Sequence, residues 1–175
     1  MTKYEFTLRF ALPSNETDPD DVADRLYGGG CDDALVGIGC PGSVALDFTR
    51  ESVSAHGAVM SAVSDVVTAI PGSALIEVAP DIVGVTDIAD VVGCSRQNIR
   101  QLMLSCAGPV PVPIHQGKQS LWHLAVVLDW LSREKQYQID AELMDLAATS
   151  MRVNLAVGSL RADAGTEDEL RVLFA

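Results

Sequence analysis

"GVTDIADVVGCSRQNIRQL", residues 84–102, is the stretch on which the reading of this chain turns. Thr86 can cap a short helix in which Ile88, Ala89 and Val92 face inward. Gly93-Cys94 then turns the chain, and Ser95 can cap a second helix carrying Ile99 and Leu102. Ala89 is small where two helices would cross, and Gly93 accepts the positive φ of a sharp turn. Ile99 is apolar where the second helix must seat on the first. Two helices joined by a tight turn are predicted. The outer face of the second holds Arg96, Gln97, Asn98, Arg100 and Gln101 and no acid. Arginine pairs with guanine edges or phosphate and Gln or Asn with adenine edges, so this face is suited to a DNA groove.

Downstream, "PVPVPIHQGKQSLWHLAVVLDWL" at residues 109–131 continues the pattern. Together with "TDIADVVGCSRQNIRQL", it resembles the winged helix-turn-helix of MerR-like and phage excisionase-like regulators. The resemblance spans about 50 residues, a longer pattern than a helix-turn-helix alone. It implies a proline-containing link, a short wing and a closing helix of pattern tryptophan, spacer, valine-leucine, tryptophan-leucine. Gly117-Lys118 would then be the wing tip near phosphate, and Trp122, Leu128, Trp130 and Leu131 would pack the third helix on the other two. The whole chain is also similar to a group of little-characterised bacterial proteins described only as DNA-binding, with a ferredoxin-like front and this rear segment. The candidate DNA-contacting set is Ser95, Arg96, Gln97, Asn98, Arg100, Gln101 and Lys118.

Charge is distributed unevenly. The chain of 175 residues has a formal net charge of -12. Residues 1–84 hold 4 basic and 13 acidic side chains, residues 85–135 hold 5 and 4, and residues 136–175 hold 3 and 7. The motif lies in the one stretch that is not acidic, which marks different work for different segments. Few cations are available there: Arg96, Arg100 and Lys118, with Arg133 and Lys135 as further candidates. A monomer should therefore bind DNA weakly, and a homodimer or larger complex is expected.

The front segment, residues 1–80, reads as strand, helix, strand, strand, helix, strand. Tyr4, Phe6, Leu8 and Phe10 alternate with polar residues, as a half-buried strand requires. Asp18-Pro19 starts a helix containing Val22, Ala23 and Leu26, and Gly28-Gly29-Gly30 stops it. Because these glycines close a helix and precede Asp32 and Asp33, a helix stop is preferred to a phosphate loop. Residues 34–39 and 43–51 form a hairpin around Cys40-Pro41-Gly42. Ser54 caps a second helix with a stripe of Val59, Val63, Val66, Val67 and Ile70, and residues 74–79 make the last strand. This order is the split βαβ, ferredoxin-like arrangement, which hosts many functions and so names none.

The expected fold class is α+β: a ferredoxin-like domain at 1–80, a winged helix-turn-helix domain at 84–135 and a C-terminal helical segment at 137–175. Residues 138–160 are helix-compatible and carry two apolar rows, Ile139, Leu143, Leu146, Val153, Val157 and Met144, Ala148, Met151, Leu155. Such a helix either packs over its own chain or pairs with a partner, and pairing is the preferred expectation, with Asn154 beside the seam. The final "EDELRVLFA" is amphipathic and could dock on a partner through Leu170, Val172, Leu173 and Phe174.

No catalytic set can be drawn at defensible spacing, so no enzyme, cofactor or metal is expected. Cys31, Cys40, Cys94 and Cys106 form no metal-binding pattern with His56, His115 and His123. His115 and His123 are expected as unspecialised surface residues. With no apolar run of membrane-spanning length and no basic-then-apolar N-terminus, a cytoplasmic protein is expected. The function expected is a sequence-specific DNA-binding regulator. The alternative is an adaptor or antitoxin-like protein whose acidic domain binds a protein partner and whose helix-turn-helix regulates its own operon or docks protein.

Overall fold

Alternation in the first strand is realised side chain by side chain. In the computed structural model, β1 (Thr2–Ala11) buries Tyr4, Phe6, Leu8 and Phe10 and turns Glu5 and Arg9 to solvent. The structure describes residues 1–14, 16, 18–40, 42–104, 110–162 and 164–174, with the side chains of Cys40, Ala164, Glu167 and Glu169 excepted. Pro41 of the expected hairpin turn, Cys106 and the first proline of the link, Pro109, lie outside the described residues.

α1 (Pro19–Gly28) starts as its sequence requires, with the Asp18 carboxylate accepting from the Asp20 amide at 3.0 Å. Gly29 and Gly30 end it, Gly30 at φ +97°, which favours glycine. β2 (Ala34–Cys40) and β3 (Ser43–Ser52) form the antiparallel hairpin. α2 (Ala55–Ala69) is capped by Ser54, whose hydroxyl accepts from the Gly57 amide at 3.1 Å. Its buried stripe differs from the expectation. Val67 is exposed and Val63 half-buried, while Ala55, Ala58 and Ala62 join Val59, Val66 and Ile70 inside. Alanines let the helix approach a sheet already filled by Phe6, Phe10 and Phe48.

β4 (Ala74–Ala79) completes a four-stranded antiparallel sheet of order β2-β3-β1-β4. Beyond it, the expected gap before the second domain is itself structured. β5 (Ile82–Val83) pairs with β7 (Ser120–His123), which also pairs with β6 (His115–Gln116), giving a second antiparallel sheet of order β5-β7-β6. Trp122, expected in the closing helix, lies in β7 opposite Val83. The helix α5 (Leu124–Lys135) begins two residues later, and Val127, Leu128, Trp130 and Leu131 are buried in it.

α3 (Val85–Val91) and α4 (Arg96–Leu104) flank the predicted turn. α3 starts two residues earlier than expected. Its cap is Gly84, whose amide donates to the Asp87 carboxylate at 2.7 Å, so Thr86 sits within the first turn. Ile88, Ala89 and Ile99 are buried with Trp122, Leu128 and Trp130 in the second apolar cluster, and Val92 is half-buried at its edge.

α6 (Ala141–Arg161) and α7 (Ala164–Leu173) follow, two helices where one was expected. The preferred expectation that α6 pairs with a partner is corrected over its first half. Leu146 packs into the cluster of the four-stranded sheet and Ala147 into the cluster around Ile99 and Trp122. Successive residues lie about 100° apart on a helix, so one helix serves two cores. Its apolar remainder, Leu155 and Leu160, is exposed, as are Leu170, Val172, Leu173 and Phe174 at the chain end. The described architecture is thus mixed α+β, with seven helices and two antiparallel sheets. Among the described residues, no helix is long and apolar enough to cross a membrane.

Candidate nucleic-acid interface

Gly93 makes the corner between α3 and α4 at φ +67°, and the Cys94 amide donates back to the Ala89 carbonyl at 2.9 Å. Ser95 then caps α4, its hydroxyl accepting from the Asn98 amide at 3.1 Å. The cap fixes where α4 begins, and Ile99, fully buried, fixes its rotation. Arg96, Gln97, Arg100 and Gln101 are left on the solvent side, and among the described residues no side-chain hydrogen bond or ion pair engages them.

The segment expected as a wing is a short antiparallel hairpin, His115 and Gln116 pairing with Leu121 and Ser120 and the turn carrying Gly117 and exposed Lys118. Between this turn, α4 and the start of α3 lies a concavity of about 760 Å³. Arg96, Arg100 and Lys118 line it together. Its floor is Val85, Met103, Pro111 and Trp122, and the Trp122 indole N–H donates to the Pro111 carbonyl at 3.0 Å. Thr86, Gln116, Gln119 and Ser120 add polar groups at this site, which sequence patterning did not single out. Asp87 is the acid there, and its carboxylate already accepts from the Gly84 amide.

The remaining predicted residues divide. Gln97 and Gln101 do not line the concavity. The Asn98 side-chain amide donates to the Tyr137 hydroxyl at 2.9 Å, which ties α4 to the segment after α5. Tyr137 was not foreseen; it directly follows Gln136, the left-handed residue that ends α5. Two cations counted as available are engaged elsewhere: Arg133 pairs with Asp129 at 2.8 Å, and Lys135 lies over the Trp130 ring at 5.4 Å.

Behind this surface is a buried polar cluster that the sequence did not reveal. Asp81 is 1% exposed. One of its oxygens accepts from His123 Nδ1 at 2.7 Å, the other from the Asn154 amide at 2.8 Å, and the Leu124 amide donates to its carbonyl. His123 is therefore not a surface residue of no special role. Asn154, expected beside a partner seam, also exchanges two 2.8 Å hydrogen bonds with the backbone of Val78 on the edge strand β4. On the front unit, Gly28-Gly29-Gly30 leads into a clasp in which Arg50 donates to Asp33, Asp65 and the Gly30 carbonyl. Cys31 beneath it is fully buried, and burial pushes its thiol up to about 11, so it stays protonated and packs as a small apolar group.

No family model, no curated protein and no solved structure matches this chain.

Proposed function

We propose that the chain is a sequence-specific regulator of double-stranded DNA, acting as a homodimer through a MerR-like or excisionase-like winged helix-turn-helix behind a ferredoxin-like front unit. The sheet order β2-β3-β1-β4 supports the ferredoxin-like reading. The succession of α3, glycine turn, α4, hairpin and α5 supports the winged one. One observation carries the function: in a chain of net charge -12, Arg96, Arg100 and Lys118 are gathered on a single concave surface between α4 and the wing. Acids elsewhere do not prevent local phosphate contact, since charges separated by more than about 8–10 Å in physiological salt are largely screened.

Three cations per chain make a weak DNA binder. Two chains double the contacts, and the exposed apolar residues from Leu155 to Phe174 offer a surface for joining them. The alternative, an adaptor or antitoxin-like protein with a basic partner, draws on a different place. There, Glu5, Asp32, Asp33 and Asp47 surround a concavity of about 630 Å³ that reaches the outer face of the front sheet.

Fluorescence anisotropy on the DNA upstream of its own gene, against scrambled duplex, tests the proposal. Binding should weaken with salt at a log–log slope of about -5 for a dimer making six phosphate contacts. Arg100→Ala should cost roughly tenfold in affinity. Absence of duplex binding at low salt, with a basic protein captured instead, would favour the adaptor.

A further inference from the structure

We infer that α4 divides recognition between two of its faces: Gln97 and Gln101 read adenine in the major groove, while Arg96, Arg100 and Lys118 hold backbone phosphate in the concavity beside them. The inference rests on the DNA-binding reading above. Ile99 is the reference point, because its full burial defines the inward side of the helix. At about 100° per residue, Gln97 and Gln101 both fall about 160° from Ile99, on the crest that would meet the groove floor. Both are exposed, and no side-chain hydrogen bond within the described residues occupies either amide.

The flanks differ in kind. Arg96 and Arg100 lie on the side facing the wing, where Lys118 shares their concavity. A helix inserted in a groove meets the groove wall on its flanks, and the wall is phosphate. On the opposite flank the Asn98 amide is already held by the Tyr137 hydroxyl at 2.9 Å, which withdraws it from base reading. The crest therefore presents two glutamines and the wing-side flank presents the cations. Glutamine pairs in two-point fashion with adenine N6 and N7. Four residues of helix rise about 6 Å, against base pairs about 3.4 Å apart, so the two glutamines would contact adenines one or two steps apart.

The test selects duplexes from a randomised library with the full chain, then measures anisotropy on the selected site and on scrambled DNA. Gln97→Ala and Gln101→Ala should each weaken the selected site about tenfold or more, level the preference at one A·T pair and leave the salt slope unchanged. Replacing that adenine by 7-deazaadenine, which lacks N7, should weaken wild-type binding but not that of the matching variant. Arg96→Ala and Lys118→Ala should weaken selected and scrambled DNA alike and reduce the salt slope by about 2 each, one phosphate contact being lost from each subunit of the dimer. Glutamine variants that weaken all sequences equally, or cation variants that change base preference, would overturn the division and leave DNA binding standing. Enrichment of no duplex by the wild type would overturn the DNA-binding reading and this inference with it.

Discussion

Arg50 shows how much of the front unit depends on one side chain placed by tertiary structure. Its guanidinium grips both oxygens of Asp33 at 2.8 and 2.9 Å, reaches Asp65 at 2.6 Å and the Gly30 carbonyl at 2.9 Å, and lies 4.9 Å from the centre of the Phe48 ring. The hydrogen bonds it donates to Asp33, the largest influence, raise its pKa against the opposing effect of burial. With its side chain only 11% exposed, Arg50→Ala should lower unfolding free energy by about 2–4 kcal/mol, read as a lower denaturant midpoint. Arg50→Lys should recover less than half, because an ammonium cannot span two carboxylates and a carbonyl. The helix stop at Gly28-Gly29-Gly30 was legible locally, since it depends on a glycine near a helix end. The clasp was not: Arg50 and Asp33 are 17 positions apart and meet through the β2–β3 register. Likewise Ser95 and Ile99 were legible as cap and plug, whereas the contact between Asn98 and Tyr137 spans 39 positions.

At the scale of the element, α6 was legible as a helix but not in its allegiance. Its two apolar rows are equally consistent with a partner helix and with burial in its own chain, and periodicity cannot choose between them. What decides is its course across the edge strand β4, where the Asn154 side chain takes the place of a further strand and satisfies both backbone groups of Val78. An edge strand with open donors invites pairing with another chain, and α6 covers this one. Asn154→Ala would leave the Val78 amide, its carbonyl and one Asp81 oxygen without their partner. The expected loss is about 2–4 kcal/mol, with faster hydrogen exchange at the Val78 amide. Asn154→Asp should cost more, because it sets a second carboxylate against Asp81 and offers no donor to the Val78 carbonyl. Unchanged stability in both variants would show that the edge is held by something other than this side chain.

Across the whole molecule, α6 makes one folding unit of what the sequence divides into three. Leu146 seals the cluster of the four-stranded sheet and Ala147 the cluster around Ile99. Asp145, between them and α2, accepts from the Ala55 amide at 2.8 Å, and Asp81 joins His123 on β7 to Asn154 on α6. Neither cluster can lose α6 without exposing apolar surface, so the two should melt together. The chain carries its own probe for this. Both tryptophans, Trp122 and Trp130, lie in the second cluster, so tryptophan fluorescence, excited where tyrosine does not absorb, reports that cluster alone, while far-UV circular dichroism reports every helix and both sheets. In denaturant the two curves should superimpose for the wild type with a single midpoint. Asn154→Ala cuts the link from the front sheet to Asp81 while leaving Ala147 in the second cluster, so it should pull the curves apart, with fluorescence lost at the higher denaturant concentration. Separate midpoints already in the wild type would mean that the four-stranded sheet and the second apolar cluster fold independently. The Asp81 cluster would then have no bearing on how the surface between α4 and the β6–β7 turn is held.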